Sequence, residues 1–328
     1  MVDVPITIAC GNYDRCRPIK DGRVKVEGCA ATYLPLYPEE IFFRAFRYQE
    51  FDVSELSLSN YVSLVDSGSC PFIAIPVFPS KVFRHGYFFV DPARVKAPSD
   101  LVGKRAGVPE YSMTAAVYMR GLLQHEFGVL PNQLEWVQGR ADRLGRALPP
   151  DIKITHRPGS ELGDLLESGE IDVILTANAP AAFRRGSSKV TRLFPNYKEL
   201  EKDYYRRTHI YPIMHTVVIR REVYDRDPWA ATSLYQAFCT AKARSMHLLE
   251  DTGSAKASLA WLGAAIEEER EVFGPDWWSY GVEANRPSIE ALLQYSHEQG
   301  LTDRKLNVEE LFAPSTLRDI PVSDGQLV

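Results

Sequence analysis

The stretch that most constrains the fold is residues 55–61, with the sequence ELSLSNY, which closely follow the apolar Val53. Apolar and polar side chains alternate up to Ser59, and this period of two predicts a short β-strand that runs into a turn. The residues after the turn predict a helix whose N-cap is Ser59 or Asn60. Open α/β sheets bind ligands where a strand ends in front of a helix N-terminus. The stretch therefore predicts an α/β sheet, with either an ordinary capped turn or a ligand site at this point.

The same order of strand, polar loop and helix recurs through the first two thirds of the chain. The predicted strands are residues 6–10, 30–36, 53–58, 72–78, 87–90, 105–108, 134–138, 171–176 and 216–219. Residues 228–300 have a mainly helical pattern of apolar side chains. Alternating strands and helices with short connections indicate an α/β fold with a mostly parallel sheet.

Composition excludes several classes of function. The chain has 328 residues, of which 45% are hydrophobic and 25% charged, as is typical of a globular protein with one large or two medium domains. The net charge of -5, without any basic tract, gives no support for nucleic-acid binding. We find no signal-peptide pattern and no apolar run of about 18 residues, which predicts a cytoplasmic protein without a membrane span. The five scattered cysteines indicate reduced thiols.

Several common catalytic motifs are absent from the sequence. There is no glycine-rich dinucleotide fingerprint, no P-loop, no HExxH zinc motif and no GxSxG nucleophile motif. Hydride transfer on a dinucleotide-binding fold and P-loop phosphoryl transfer are therefore not expected. None of the seven histidines has a recognised metal-ligand spacing, and we predict neither a metal nor another cofactor.

Seven short segments carry a resemblance to a known family. They are residues 51–59 (FDVSELSLS), 79–85 (PSKVFRH), 107–111 (GVPEY), 211–215 (YPIMH), 276–286 (DWWSYGVEANR), 297–301 (HEQGL) and 310–314 (ELFAP). As a set they resemble the 4,5-dihydroxyphthalate decarboxylase family, and the similarity runs from about residue 4 to residue 314, over nearly the whole chain.

The resemblance implies a fold similar to that of type II periplasmic substrate-binding proteins. Such a fold is α/β, with two lobes joined by two crossovers and a ligand cleft between the lobes. We predict that residues 1–90 and 213–328 form the first lobe, including the C-terminal helices, and that residues 91–212 form an inserted second lobe.

The reaction that the resemblance implies is the non-oxidative loss of CO2 from a hydroxylated aromatic acid, most directly from 4,5-dihydroxyphthalate to give protocatechuate. In that substrate each hydroxyl is para to one carboxylate, so the ring can be protonated at the carbon that bears the carboxylate, and CO2 then leaves. The protein must supply cations for the carboxylates, a proton donor and a cleft with little water.

Five side chains are the main candidates for this chemistry. Arg15 and Arg84 follow strands of the predicted first lobe, and arginine suits planar carboxylates. His85 and His215 are candidate proton donors, because histidine titrates nearest to neutral pH. Glu55 is either a general base or the partner of one histidine. Each also has an ordinary interpretation as a surface arginine, a core histidine or a buried ion-pair partner.

Six further residues are predicted to bind the substrate. They are Ser57, Ser59, Tyr111, Ser112, Thr114 and Trp278. The two serines offer hydroxyls to substrate oxygens, and the tryptophan offers a face on which an aromatic ring stacks. The other three stand at a predicted helix N-terminus, which favours an anion. A plain N-cap is the alternative for Thr114, and a core position is the alternative for Trp278.

The chain also departs from the family pattern. The resemblance implies a glycine where this chain has His209 and a proline where it has Trp278-Ser279, while Cys16 and Cys29 replace residues without a thiol. Because His209 and Trp278 are predicted beside the cleft, a related hydroxylated benzoate or phthalate stays open as the substrate.

Two other functions are compatible with such a fold. A non-catalytic binding protein for a small aromatic anion is the main alternative, although the missing export signal argues against it. A pyrimidine-precursor synthase or thiamine-related protein is the other, but no glycine- and cysteine-rich motif supports it. The predicted partner is a small aromatic carboxylate, without nucleic acid or membrane. The oligomeric state is left open, with a homo-oligomer among the alternatives.

Overall fold

A computed structural model describes residues 3–251 and 253–320 and places their strands in two separate sheets. The strands are β1 (Val4–Cys10), β2 (Cys29–Pro35), β3 (Val53–Ser57), β4 (Phe72–Lys81), β5 (Phe88–Val90), β6 (Arg105–Val108), β7 (Glu135–Gln138), β8 (Lys153–His156), β9 (Val173–Leu175), β10 (Thr191–Arg192) and β11 (Ile213–Arg220). The helices are α1 (Arg17–Lys20), α2 (Pro38–Tyr48), α3 (Leu58–Asp66), α4 (Thr114–Phe127), α5 (Leu162–Ser168), α6 (Ala181–Arg184), α7 (Tyr197–Thr208), α8 (Arg221–Arg226), α9 (Ala230–Leu249), α10 (Leu262–Phe273) and α11 (Arg286–Glu298). Within the described residues, no helix is long and apolar enough to cross a membrane.

The first sheet has five strands in the order β2-β1-β3-β11-β4. Strand β1 is parallel to β2 and β3, whereas the returning strand β11 is antiparallel to β3 and β4. All five residues of β3 are buried. The alternation in the sequence therefore does not separate a core face from a solvent face, because both faces of this central strand are covered.

The second sheet has six strands in the order β10-β5-β9-β6-β7-β8. Strands β6 to β9 pair in parallel, whereas β5 is antiparallel to its neighbours β9 and β10. Both sheets are therefore mixed. The prediction of α/β structure is confirmed, but the prediction of a mostly parallel arrangement misses the antiparallel strands beside the two crossovers.

The chain passes between the two sheets twice, once between β4 and β5 and once between β10 and β11. The predicted lobe boundary after residue 90 is too late, because β5 pairs with strands of the second sheet. His209 lies near the second crossover, where it ends α7 with a φ of 55°. Its side chain is exposed. The family's glycine would adopt this left-handed backbone conformation without strain, so the departure at His209 concerns a helix end.

The predicted helix N-caps are corrected by the structure. Helix α3 begins at Leu58, so Ser57 occupies the N-cap position instead of Ser59 or Asn60. Thr114 is the first residue of α4 and not its N-cap. Neither helix start has a side-chain capping bond, and the hydroxyls instead bond to each other between the two helix starts, with 3.0 Å between Ser59 Oγ and Thr114 Oγ1.

Candidate active site

The carboxylate of Glu55 is buried in β3 and holds the imidazole of His215. The distance between Glu55 Oε1 and His215 Nδ1 is 2.6 Å. The Tyr13 hydroxyl donates to the same oxygen at 2.8 Å, and the Gly11 N–H donates to Oε2 at 2.9 Å. Burial acts to raise the pKa of Glu55, but the hydrogen bonds, chiefly that of His215, outweigh it and hold the pKa below its usual value. Glu55 is therefore ionised and fixes the ring, which leaves Nε2 for another partner.

Strand register explains why these two residues meet. In the antiparallel pair of β3 and β11, Val217 lies opposite Glu55 and His215 lies opposite Ser57. Side chains two residues apart on a strand share a face, so His215 is the diagonal neighbour of Glu55. The pair therefore depends on contact between segments that are 160 positions apart in the sequence.

A small cavity of about 60 Å³ lies between the two lobes beside this pair. Ser57 and His215 line it from the first lobe, and Thr114 lines it from the start of α4. The hydroxyls of Ser57 and Thr114 are 2.9 Å apart, so the two lobes are in contact here. The structure therefore shows the site in a closed arrangement.

The guanidinium of Arg84 lines this cavity without an acidic partner. Its Nε donates to the Met214 sulfur and its Nη1 to the Ala177 carbonyl, both at 3.3 Å. No acidic side chain among residues 3–251 and 253–320 forms an ion pair with it, and the charge of Glu201 acts on it only without direct contact. Burial lowers the pKa of Arg84 to about 10. Because a buried cation without a counter-ion is unfavourable, Arg84 is well placed to bind an anionic ligand.

Asn60 and Arg143 also line the cavity, although the sequence did not single them out as site residues. Asn60 is 1% exposed, and neither of its amide atoms has a hydrogen-bond partner within the described chain. A signal for Asn60 was available, because it lies three residues after Ser57 and therefore on the same face of the first helical turn. Arg143 comes from a loop without regular structure, and nothing in the sequence placed it here.

The chain is similar over nearly its whole length to a decarboxylase. It is 38% identical over 330 residues to a 4,5-dihydroxyphthalate decarboxylase of Comamonas testosteroni, with 98% of this chain and 100% of that protein covered. The chain belongs to the 4,5-dihydroxyphthalate decarboxylase family. It is also 40% identical over 209 residues to a protein of the same description from Pseudomonas putida, covering 61% of this chain and 81% of that one. No protein-family model matches the chain. The predicted family and the predicted class of carboxy-lyase are confirmed.

Solved structures with the same fold include periplasmic binding proteins. The aliphatic sulphonate binding protein of Escherichia coli matches with a TM-score of 0.54 and 11% identity, over 97% of this chain and 95% of that chain. A sulfonate-binding protein of Methylobacillus flagellatus matches with a TM-score of 0.53 and 16% identity, over 97% and 94% of the two chains. At these identities the likeness shows the fold alone, and it confirms the predicted periplasmic-binding-protein-like architecture.

The second candidate histidine, His85, lies outside this cavity. The ring of His85 packs edge-on against Phe194 and Tyr204, and its Nδ1 lies 3.8 Å from Glu201 Oε1. Burial, assisted by the charge of Arg207, lowers the pKa of His85 to about 4. His85 is therefore neutral near pH 7, and it is not among the residues that line the cavity. Its catalytic role stays a prediction without support from this arrangement.

Arg15 and Trp278 are brought together, but not to the cavity. The guanidinium carbon of Arg15 lies 4.1 Å from the centre of the Trp278 ring. Arg15 Nε donates to the Pro79 carbonyl at 2.9 Å, and Trp278 Nε1 donates to the Phe78 carbonyl at 3.1 Å. In this closed arrangement both side chains are therefore used within the protein, and their contact with substrate stays a prediction.

The predicted contacts at the start of α4 are mostly occupied by the protein itself. Ser112 Oγ donates to Asp142 at 2.6 Å, and Ser59 Oγ donates to the Ser112 carbonyl at 2.6 Å. The ring of Tyr111 packs edge-on against Trp136, at 5.6 Å between centroids. Of the six further predicted contacts, only Ser57 and Thr114 line the cavity.

The rest of the described chain offers no stronger centre. No group of three or more His, Cys, Asp or Glu that could hold a metal ion occurs in residues 3–251 and 253–320. A larger cavity of about 410 Å³ lies beside α9. Its charged residues include Lys242 and Asp276, which form an ion pair at 2.6 Å and leave no free charge of their own for a ligand.

Proposed function

We propose that the protein converts 4,5-dihydroxyphthalate to protocatechuate and CO2 in the cavity between its lobes. The single observation that carries this proposal is the Glu55–His215 pair, which adjoins a buried arginine without a counter-ion. The two decarboxylase relatives support the choice of substrate. An acid–base pair and a carboxylate-binding cation are the groups that protonation of a ring dicarboxylate requires.

In this reaction, protonated His215 gives its Nε2 proton to the ring carbon that bears the departing carboxylate. The N–H bond breaks and a C–H bond forms, while the para hydroxyl donates electron density that stabilises the cationic ring. The bond to the carboxylate then breaks, its electron pair returns to the ring, and CO2 leaves. His215 is left neutral and takes its next proton from water. The charge of Glu55 stabilises the imidazolium and keeps the ring oriented.

Arg84 binds the carboxylate that remains in the product. A cation placed on the departing carboxylate would stabilise the ground state more than a transition state in which that charge disappears, and would slow the reaction. A cation on the retained carboxylate instead contributes equally to both states and fixes the ring in front of His215.

Three further points stay predictions: a cytoplasmic location, the absence of a nucleic-acid partner, and a homo-oligomer among the alternatives for the oligomeric state. Five residues outside the cavity stay predicted substrate contacts: Arg15, Ser59, Tyr111, Ser112 and Trp278. The predicted contacts that line the cavity are Arg84, Ser57 and Thr114.

The direct test incubates the purified protein with 4,5-dihydroxyphthalate and follows protocatechuate and CO2. We expect one equivalent of each per substrate consumed, without added metal or cofactor. Tight reversible binding without product would overturn the proposed reaction and would favour a binding protein for a small aromatic anion.

Arg84→Met tests the carboxylate contact. Because a charge-assisted interaction in a buried site is lost, we expect KM to rise by about 10²-fold. Free Arg84→Met protein should unfold at a temperature no lower than that of the wild type, since an unpaired buried charge is removed. The matched control is Arg120→Met, because buried Arg120 bonds Tyr111 and Gln299 inside the protein, and this variant should lose stability. An unchanged KM for Arg84→Met, together with a raised KM for Arg15→Met, would transfer the role to Arg15.

A further inference from the structure

The amide of Asn60 is the most unusual polar group in the cavity. Its side chain is 1% exposed, and neither Oδ1 nor Nδ2 has a hydrogen-bond partner within the described residues. It lines the same cavity as Ser57, Arg84 and His215. Ser57 and Thr114, which line the same cavity, bond each other and do not bond Asn60.

The described part of the protein therefore provides no hydrogen bond to this amide. A buried donor or acceptor without a partner costs about 1–3 kcal/mol, and native proteins satisfy nearly all such groups. Another buried asparagine, Asn285, shows the ordinary case: its Nδ2 donates to the carbonyls of Ser279 and Gly281 at 3.2 and 2.9 Å. Asn60 therefore has hydrogen-bonding capacity that a ligand in the cavity would satisfy.

The hydrogen-bonding groups of a primary amide indicate which part of a ligand would bind to Asn60. The amide offers one acceptor oxygen and one donor nitrogen side by side. A carboxylate only accepts hydrogen bonds, so it would leave Oδ1 unsatisfied and face it with like partial charge. Two hydroxyls on neighbouring ring carbons offer a donor and an acceptor side by side, which match both atoms of the amide.

We propose that Asn60 is the specificity-determining residue that recognises the two adjacent ring hydroxyls of the substrate. Its Oδ1 accepts a hydrogen bond from one hydroxyl, and its Nδ2 donates to the oxygen of the other. This inference rests on the proposed function and extends it, because it assigns the selection of a vicinal diol to one residue. Arg84 then binds a carboxylate, and Asn60 binds the hydroxyl edge on the other side of the ring.

The test compares Asn60→Leu with the matched control Asn285→Leu, since leucine has nearly the shape of asparagine without its hydrogen bonds. Binding of protocatechuate and of 4-hydroxybenzoate is measured by calorimetry, and turnover is measured with 4,5-dihydroxyphthalate and 4-hydroxyphthalate. A site that bonds a substrate hydroxyl strongly rejects analogues that lack it. We expect wild-type protein to favour the diol of each pair by at least about 10²-fold, and Asn60→Leu to lose most of this preference.

Thermal unfolding of the free proteins gives a second, independent measurement. Asn60→Leu should unfold at the wild-type temperature or higher, because no hydrogen bond within the described chain is lost, whereas Asn285→Leu loses two such bonds and should unfold at a lower temperature. A diol preference that survives in Asn60→Leu would overturn the inference, as would a loss of stability equal to that of Asn285→Leu. Diol-selective binding that depends on Asn60, without any turnover, would overturn the proposed reaction alone. Failure to bind either ligand would overturn both.

Discussion

Glu55 is fully buried and Glu201 is partly buried, and each lies beside a histidine, but their surroundings shift their pKa values in opposite directions. Three hydrogen-bond donors, including His215, hold the pKa of Glu55 below its usual value despite burial. Burial dominates at Glu201, beside His85, and raises its pKa to about 7. Only the first pair combines an ionised carboxylate with a histidine that reaches the cavity, and it is the pair to which we assign the chemistry.

Glu55→Gln tests this assignment by replacing one carboxylate oxygen with an amide nitrogen. The amide keeps an acceptor for Tyr13 but loses the negative charge that stabilises protonated His215. We expect kcat to fall by about 10²-fold or more, with the fold retained by circular dichroism. Glu201→Gln is the matched control, and its kcat should change by less than about threefold, a margin far below the effect of general acid catalysis. The opposite result, with the larger loss in Glu201→Gln, would move the proton donor to His85.

The sequence identifies single residues of the site better than it identifies their contacts. Glu55 and His215 both lie in segments that resemble the family, and both were candidates. Their pairing was not predictable, because it depends on the register between β3 and β11. The sequence predicts Ser59 or Asn60 as the helix cap, since local pattern cannot show that Ser57 precedes the helix and that the amide of Asn60 lacks a partner within the described residues.

At the scale of elements, the loop between β7 and β8 closes over the cavity through charged side chains. Arg140 and Arg143 both form ion pairs with Glu39 of α2 and with Glu110 of the second lobe. Further along the loop, Arg146 pairs with Asp66, which ends α3, at 3.2 Å. The pairs with Glu39 and Asp66 link the second lobe to the first, so the loop stabilises the closed arrangement.

Glu39→Gln tests the contribution of this loop. Removing the shared carboxylate weakens the ion pairs that favour closure, and a change of about 1 kcal/mol corresponds to a roughly fivefold weaker substrate affinity. The effect should shrink in high salt, which screens partly exposed charges. Glu40→Gln is the matched control on the same helix, because Glu40 pairs with Arg44 of α2 itself. Equal affinity in Glu39→Gln and Glu40→Gln at low salt would contradict a role in closure.

Most elements were predictable because their signals are local, whereas their ends and neighbours were not. The apolar runs that predicted β4 and β9 lie in buried strands. The predicted strand at residues 87–90 is shortened to β5, because residues 85–87 form a 3-10 turn at the crossover. Its pairing with the second sheet depends on β9, which follows more than 80 residues later, and no local pattern carries that information.

At the scale of the whole molecule, the two-lobed fold followed from the family resemblance, but the closed arrangement did not. The cavity of about 60 Å³ is much smaller than the roughly 150 Å³ of a known cavity that holds one benzene ring. A ring with four substituents therefore enters only when the lobes separate. The two crossovers are the chain connections between the sheets of the two lobes. The contacts of Ser57 and Ser59 with Thr114 must break when the lobes separate.

A reversible cross-link between the lobes tests this requirement. Glu39→Cys combined with Arg140→Cys replaces an ion pair whose side chains are 41% and 48% exposed, and a short bis-methanethiosulfonate reagent joins the two thiols. We expect the linked protein to lose nearly all turnover and substrate binding, and reduction of the linker to restore the activity of the unlinked double variant. The single variants and the wild type, treated alike, control for reaction at Cys70 and the four buried native thiols.

A requirement for separation of the lobes and a simple loss of the Glu39–Arg140 ion pair predict different results in this experiment. Loss of the pair alone lowers affinity equally in the linked and the reduced double variant. A barrier to entry instead appears only while the linker is intact, and it disappears on reduction. Because substrate added before cross-linking is already inside, protein linked in its presence should complete a single turnover and then retain protocatechuate. Full multiple turnover by the linked protein would show that substrate enters without separation of the lobes.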